Sequence, residues 1–172
     1  DIPFDDFILV TFHPESVGVS KNKNYSEIIF DVLTTIIKDH NILITMANSD
    51  AMGSVFNYQF KRLQVMYPKK IKLVSSLGRL NYFKSMQQCK LMLGNTSSGI
   101  IEAASFNKYV INVGNRQKGR LKNNNVMDVQ YNYDQIRTAL GEIMMKSPTK
   151  FRNIYAMGGT TNSILKIIYQ NA

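Results

Sequence analysis

Short apolar runs alternate with helical patterns along this chain, and the alternation constrains the fold more than any other feature. Each run is strand-length, rich in aliphatic residues and bounded by polar or turn residues, as buried strands are. The predicted strands are Phe7–Phe12, Asn41–Met46, Ile71–Val74, Lys90–Leu93, Tyr109–Val113 and a short sixth candidate, Val126–Val129.

The segments between these runs carry apolar residues at helical spacing, first at Ile28, Ile29, Val32, Leu33, Ile36 and Ile37. Further helices are predicted from Asn48–Asp50 to about Tyr67, over Arg79–Gln88, Gly99–Phe106, Asp134–Lys146 and Thr161–Tyr169. Strands that alternate with helices build right-handed βαβ units. The sequence therefore predicts an α/β fold, a Rossmann-like parallel sheet with helices on both faces.

Size and composition narrow the class of protein. The chain has 172 residues, which fits a single domain, and 44% of them are hydrophobic. No stretch approaches the ~20 apolar residues that cross a bilayer, and the acidic Asp1–Phe7 is unlike a signal peptide. The single cysteine, Cys89, excludes an internal disulfide and a multi-cysteine metal site. We expect a cytosolic protein without a membrane segment.

The formal charge of +9 is compatible with nucleic acid, an anionic metabolite or a solvated basic surface. The basic residues are scattered, and the chain has no RNA-recognition signature, zinc-finger spacing or basic heptad helix. Nucleic acid is therefore disfavoured as a partner.

Two unusual segments follow predicted strands at the place where such folds bind ligands. In open α/β sheets this place is the crevice at the carboxyl ends, where the strand order reverses. With the common order 3-2-1-4-5-6, Thr11–Glu15 and Asn95–Gly99 meet there. The hydroxyls of Thr96, Ser97 and Ser98 and the small residues of the second segment suit an anion. The alternative is an ordinary helix N-cap.

Both histidines and one glutamate have a functional or a structural interpretation. His13 is either a satisfied histidine at a strand end or part of the crevice, whereas His40 is expected to end a helix at the surface. A capping box has Glu or Gln three residues after the capping serine, and Glu102 is four residues after Ser98. Its carboxylate is therefore available to accept hydrogen bonds from a ribose diol.

The basic segment Gly114–Arg120 follows the fifth strand, at the same edge of the predicted sheet. Arg116 has the forked guanidinium that grips phosphate, although a solvated surface loop is the alternative. The chain has no P-loop and no G-x-G-x-x-G, so an ordinary NTPase or NAD domain is excluded.

Four segments together resemble the UDP-N-acetylglucosamine 2-epimerases, most closely the hydrolysing branch that feeds sialic acid synthesis. They are Thr11-Phe-His13-Pro, Ser76-Leu-Gly78, Gly94-Asn-Thr-Ser-Ser-Gly-Ile-Ile-Glu102 and Gly114-Asn-Arg-Gln-Lys-Gly-Arg120. The resemblance extends from about Phe7 to Tyr169. The family more often has Asn-Ser-Ser-Ser at the turn, and Thr96 keeps a hydroxyl there.

The resemblance implies a glycosyltransferase-B fold, with this chain (residues 1–172) as the C-terminal, nucleotide-binding domain. It implies that His13 meets the diphosphate and is the candidate catalytic residue of this chain. The implied nucleotide-binding set also contains Leu77, Gly78 and Tyr82 at the base, Thr96, Ser97, Ser98 and Gly99 at the phosphates, Glu102 at the ribose and Arg116 beside the turn. Tyr82 is the implied stacking residue, and Phe83 is its alternative.

The family reaction eliminates UDP from the sugar and adds water, which releases N-acetylmannosamine. The resemblance places the acid–base carboxylates in an N-terminal domain outside this chain. The chain alone is therefore expected to bind UDP-N-acetylglucosamine or UDP weakly and to catalyse nothing, with no cofactor and no metal. The helix Thr161–Tyr169 resembles the one that packs against the N-terminal domain, and the whole enzyme is expected to be a homo-oligomer.

Several alternatives remain open at this stage. The base-reading stretch does not distinguish UDP from GDP. A non-hydrolysing epimerase or another glycosyltransferase-B enzyme would have the same kind of nucleotide-binding domain. A non-enzymatic anion-binding module would have a similar positive charge.

Overall fold

The computed structural model describes residues 4–47, 52–156 and 158–170, and six strands in them form one sheet. The strands are β1 (Phe7–Thr11), β2 (Asn41–Thr45), β3 (Ile71–Val74), β4 (Leu91–Gly94), β5 (Tyr109–Val113) and β6 (Val126–Val129). Their order is β3-β2-β1-β4-β5-β6, and every neighbouring pair is parallel. The structure thus confirms the predicted Rossmann-like sheet and its reversal point between β1 and β4.

In the described part of the chain, six α-helices connect or follow the strands: α1 (Asn22–Ile36), α2 (Gly53–Met66), α3 (Gly78–Gln88), α4 (Ser97–Ile101), α5 (Tyr133–Met144) and α6 (Thr160–Gln170). The predicted helix start at Asn48–Asp50 lies outside the described residues. The helix predicted over Gly99–Phe106 begins two residues earlier, as α4, and continues as a 3-10 helix over Ala103–Phe106.

The sheet is buried on both faces, which explains why its central strands are continuous apolar runs. Alternate residues of β1 point to opposite faces, so Ile8 and Val10 join one core cluster whereas Phe7 and Leu9 join another. The first cluster contains residues of α1, α2 and α5. Both cores therefore hold β1 rigidly, and its carboxyl end is a fixed platform for a site.

The last helix is the exception to this burial. Apolar side chains of α6 are exposed, among them Ile164, Leu165 and Ile168. Within the described ranges, no helix combines the length and apolar character that crossing a membrane requires.

Candidate functional site

A cleft of about 500 Å³ lies at the carboxyl ends of β1 and β4, where the strand order reverses. Its walls come from the ends of β1 and β2, from the segment between β3 and α3, from α3, and from α4 with its flanking residues. The lining residues are Thr11, His13, Thr45, Met46, Ser75, Ser76, Leu77, Gly78, Arg79, Tyr82, Phe83, Thr96, Ser98 and Glu102. This is the position at which α/β sheets bind ligands.

A fully buried asparagine, Asn95, joins the two central strands at the cleft. The backbone N–H of His13 donates to Asn95 Oδ1 at 2.8 Å, and Asn95 Nδ2 donates to the carbonyl of His13 at 2.7 Å. A second bond runs from Asn95 Nδ2 to the Tyr131 hydroxyl at 3.1 Å. The amide thus fixes the segment after β1 beside the turn after β4, which brings His13 next to the serine-rich segment.

The backbone of the basic segment after β5 binds a carboxylate side chain of the same protein, Glu15. Glu15 Oε1 accepts the backbone N–H groups of Asn115 at 2.9 Å and Arg116 at 3.1 Å. Glu15 is buried, and Gly114 lets it approach, because a Cβ at Gly114 would lie 2.5 Å from Glu15 Oε1. Gly114 also has a φ of +79°, which L side chains rarely adopt. These two backbone donors are therefore occupied by a side chain of the protein.

The same segment supports the serine-rich turn from outside the cleft lining. Gln117 Nε2 donates to the carbonyl of Asn95 at 2.9 Å, and a guanidinium nitrogen of Arg116 donates to it at 3.3 Å. The position of Arg116 agrees with the expectation that it lies beside the turn. Its forked group is engaged with a carbonyl here, and Arg116 is not among the cleft residues.

Hydroxyl groups line the floor of the cleft. Thr96 is the N-cap residue of α4 but makes no capping hydrogen bond with its side chain, so the simple capping interpretation does not describe this turn. Its hydroxyl instead lies 3.1 Å from that of Ser98, which lies 2.9 Å from that of Tyr82. Thr11 and Thr45, partners in the register of β1 and β2, join their hydroxyls at 2.7 Å.

The wall formed by α3 carries two aromatic residues. Burial raises the pKa of the Tyr82 hydroxyl, and hydrogen bonds with Ser98 and Thr11 act in the opposite direction. Tyr82 therefore stays protonated at neutral pH. Phe83 packs against Phe106 with ring centroids 5.5 Å apart, and the guanidinium of Arg79 lies 5.7 Å from the centre of the Phe83 ring.

Glu102 places a carboxylate at the cleft. Burial raises its pKa, whereas a backbone hydrogen bond and the charge of Arg79 lower it. One oxygen, Glu102 Oε2, is buried and has no hydrogen-bond partner among the residues that the structure describes. A buried acceptor without a partner is costly, so this oxygen is suited to a hydroxyl donor from a ligand.

The structure brings most of the predicted site residues to one place. His13, Leu77, Gly78, Tyr82, Thr96, Ser98 and Glu102 line the cleft, whereas Ser97, Gly99 and Arg116 are not among its lining residues. Gly99 is buried where a Cβ would lie 2.9 Å from a methyl of Val110. The backbone N–H of His40 donates to Ile36 at the end of α1, as expected, although His40 is half-buried.

The sequence interpretation gave no roles to Glu15, Asn95, Thr11 and Thr45. The sequence could have indicated the two threonines as cleft residues, because each is the last residue of a buried strand and so lies at the edge where ligands bind. Nothing in the sequence pairs Glu15 with residues a hundred positions away.

A second cavity, of about 380 Å³, lies at the opposite edge of the sheet. Cys89, Lys90, Lys108 and Lys146 are among its lining residues. It adjoins the amino ends of β4 and β5, whereas ligands of this fold bind at the carboxyl ends. Burial raises the pKa of the Cys89 thiol to about 12, so this cysteine is a poor nucleophile.

Comparison with known proteins finds hydrolysing 2-epimerases among the relatives. A hydrolysing UDP-N,N'-diacetylbacillosamine 2-epimerase of Legionella pneumophila is 33% identical over 96% of this chain and 43% of its own length. A hydrolysing GDP/UDP-N,N'-diacetylbacillosamine 2-epimerase of Campylobacter jejuni is 34% identical over 74% of this chain and 33% of its own length. The chain spans less than half the length of these curated relatives.

Solved structures agree on the fold. The UDP-GlcNAc 2-epimerase of Methanocaldococcus jannaschii, in complex with UDP-GlcNAc and UDP, superimposes with a TM-score of 0.75 at 18% identity. The superposition covers 96% of this chain and 46% of that one. The sequence profile of UDP-N-acetylglucosamine 2-epimerase matches residues 1–169. By this match over nearly its whole length, the chain belongs to the UDP-N-acetylglucosamine 2-epimerase family.

Proposed function

We propose that the protein is a hydrolysing UDP-sugar 2-epimerase and that this chain forms its nucleotide-binding half. The observation that carries the proposal is the composition of the cleft. Hydroxyls of Thr96 and Ser98 stand at the end of β4, and the unpartnered oxygen of Glu102 stands beside them. Phosphate accepts hydrogen bonds and a ribose diol donates them, so one nucleotide satisfies both groups.

Different residues of the chain bind the phosphates, the ribose and the base of the nucleotide. The turn from Thr96 to Gly99 holds the phosphates, with His13 across the cleft as the candidate catalytic group of this chain. Glu102 accepts the ribose hydroxyls, and Leu77 and Gly78 frame the base. Arg116 and Gln117 brace the turn through the carbonyl of Asn95.

Chemistry at the sugar needs groups beyond this half. Removal of the C2 proton and departure of UDP require an acid–base pair. We place that pair in an N-terminal domain of the whole protein, since relatives are more than twice the length of the chain. The exposed apolar residues of α6 are a suitable surface for that domain.

The substrate we propose is a UDP-linked 2-acetamido sugar. UDP-N-acetylglucosamine, which would yield N-acetylmannosamine and UDP, is the substrate that the sequence motifs suggest. The names of the two curated relatives favour UDP-N,N'-diacetylbacillosamine as a second candidate. The Campylobacter relative is named for GDP and UDP forms alike, so the GDP sugar belongs in the same test.

The test is incubation of the whole protein with each nucleotide sugar and no acceptor, followed by detection of free sugar and nucleotide. We expect equal amounts of UDP and a free 2-epimerised sugar. Glu102→Ala should lower kcat/KM by about tenfold to a hundredfold, the effect of losing a hydrogen bond to a charged group. Glu27→Ala, on the exposed face of α1, is the matched control.

Other products would identify the rival functions. An epimer that stays linked to UDP means a non-hydrolysing epimerase, and turnover that requires an acceptor means a transferase. Salt-dependent binding of an oligonucleotide without any response to UDP means an anion-binding module.

A further inference from the structure

Three hydroxyl groups form a continuous chain from α3 to the turn after β4. Tyr82 Oη lies 2.9 Å from Ser98 Oγ, and Ser98 Oγ lies 3.1 Å from Thr96 Oγ1. All three residues line the cleft. A hydroxyl has one proton and two lone pairs, so the direction of one bond in such a chain decides where the next proton points.

Either hydroxyl of the Tyr82–Ser98 pair can donate, and the phenol, which is the more acidic of the two, is the better donor. The protonated hydroxyl of Tyr82 can donate to Ser98 Oγ, which leaves the Ser98 proton available for another acceptor. Thr96 Oγ1 is one acceptor within reach. A phosphate oxygen at the same turn is a stronger one, because hydrogen bonds to ionised acceptors are shorter and stronger.

We propose that the Tyr82 hydroxyl is a positioning group that aims the Ser98 proton at the phosphates of a bound nucleoside diphosphate. The inference rests on the proposed function and deepens it, because it links the α3 wall of the cleft to phosphate recognition. The inference assigns the positioning role to the hydroxyl of Tyr82 and not to its ring. A residue that only stacks on the base needs the ring, which phenylalanine supplies equally well.

The structure supports a hydroxyl role in two ways. The bond to Ser98 also restricts the Ser98 rotamer, since the hydroxyl must point towards Tyr82 Oη. In addition, Phe83 lines the same cleft with an aromatic ring that has no hydroxyl. An aromatic wall is therefore present without Tyr82 Oη, whereas Ser98 would lose its hydroxyl partner on α3 and keep Thr96 at 3.1 Å.

The first experiment compares Tyr82→Phe with the unchanged protein in titrations with UDP and with uridine. We expect the affinity for UDP to fall about fivefold to tenfold, the effect of one hydrogen bond. The affinity for uridine, which has no phosphate, should stay the same. Tyr58→Phe is the matched control, since Tyr58 lies on α2 with 63% of its surface exposed.

The second experiment is a double-mutant cycle with UDP. Ser98→Ala should weaken UDP binding, and adding Tyr82→Phe to Ser98→Ala should weaken it no further, because the hydroxyl acts through Ser98. A purely structural role for Tyr82 would lower the melting temperature and affect UDP and uridine by one common factor.

Three results would overturn the inference: equal losses for UDP and uridine, no loss for either ligand, or losses that add in the double mutant. Failure of the proposed function has a different signature, because the unchanged protein would then bind neither UDP nor uridine. Normal UDP binding by Tyr82→Phe refutes only the role of the hydroxyl.

Discussion

Gly94 shows how one residue shapes the centre of the site. It ends β4 opposite Thr11 of β1, and a Cβ at this position would lie 1.9 Å from the carbonyl oxygen of Thr11. That oxygen accepts the N–H of Asn95 at 3.1 Å. A side chain at Gly94 would therefore force apart the two strands between which the cleft opens.

Gly94→Ala should destabilise the fold by ~3 kcal/mol or more, because neither backbone can move without breaking the sheet. Gly141→Ala is the opposite case, since nothing lies within 4 Å of a Cβ there and Gly141 is inside α5. It should stabilise the protein by ~0.5–1 kcal/mol, the difference in helix propensity. Urea unfolding measures both. A stable Gly94→Ala protein would show that β1 and β4 are not held this closely.

Among the structural elements, the segment after β5 makes contacts within the protein that its basic sequence does not indicate. From the sequence, Gly114–Arg120 was either a loop that grips phosphate through Arg116 or a solvated surface loop, and the resemblance placed Arg116 beside the serine-rich turn. Two of the segment's backbone N–H groups bind Glu15, and its side chains at Arg116 and Gln117 bind the carbonyl of Asn95. The segment acts as a brace between the ends of β1 and β4.

Glu15→Gln tests this brace. The substitution keeps the shape of the side chain but replaces the charged acceptor, so it should destabilise the protein by ~1.5–3 kcal/mol in denaturant unfolding. Glu27→Gln, an exposed change on α1, should alter stability by less than ~0.5 kcal/mol. Equal effects of the two variants would mean that the contacts of Glu15 contribute little.

The helix after the serine-rich turn also departs from expectation. The pattern predicted a helix from about Gly99, but Ser97 and Ser98 are already helical. Serine favours non-helical backbone because its side chain bonds to the local backbone. Here Ser98 bonds to Thr96 and Tyr82 instead, so the reason for a loop is absent.

For the whole molecule, ligand binding and folding stability are linked through the cleft. A ligand that binds only the folded state stabilises it, by ~2.7 kcal/mol at a hundredfold excess over Kd. UDP should therefore raise the melting temperature of the protein. The size of the increase depends on the charge state of Glu102, the proposed ribose acceptor.

The stabilisation by UDP should shrink as pH falls through the raised pKa of Glu102, because the protonated carboxyl is a weaker acceptor. Without ligand, the effect of Glu102 on folding stability changes with pH in the opposite direction. Folding raises this pKa, so the ionised group lowers stability at neutral pH and the loss disappears below its unfolded pKa. Thermal unfolding with and without UDP across pH measures both trends.

Glu102→Gln is the control for this pH dependence, since any change of the UDP stabilisation with pH that persists in it comes from other groups, such as the phosphate of UDP or His13. A parallel response of Glu102→Gln and the unchanged protein would remove Glu102 from the ribose site.

The sequence by itself determined the elements and the sheet. Apolar periodicity is a local property, so β1 to β6 could be predicted to within about one residue at most ends. Their alternation with helices also predicted parallel strands and hence the edge at which His13 and Asn95–Gly99 meet. The packing of short βαβ units leaves few other arrangements.

Only the tertiary structure decided which side chains bond to each other at that edge. Glu15 fills the backbone donors of the segment after β5, and Tyr82 bonds to Ser98 across the cleft. These partners lie between sixteen and about a hundred residues apart in sequence. Their pairing depends on the directions of side chains after packing, which neither periodicity nor composition encodes.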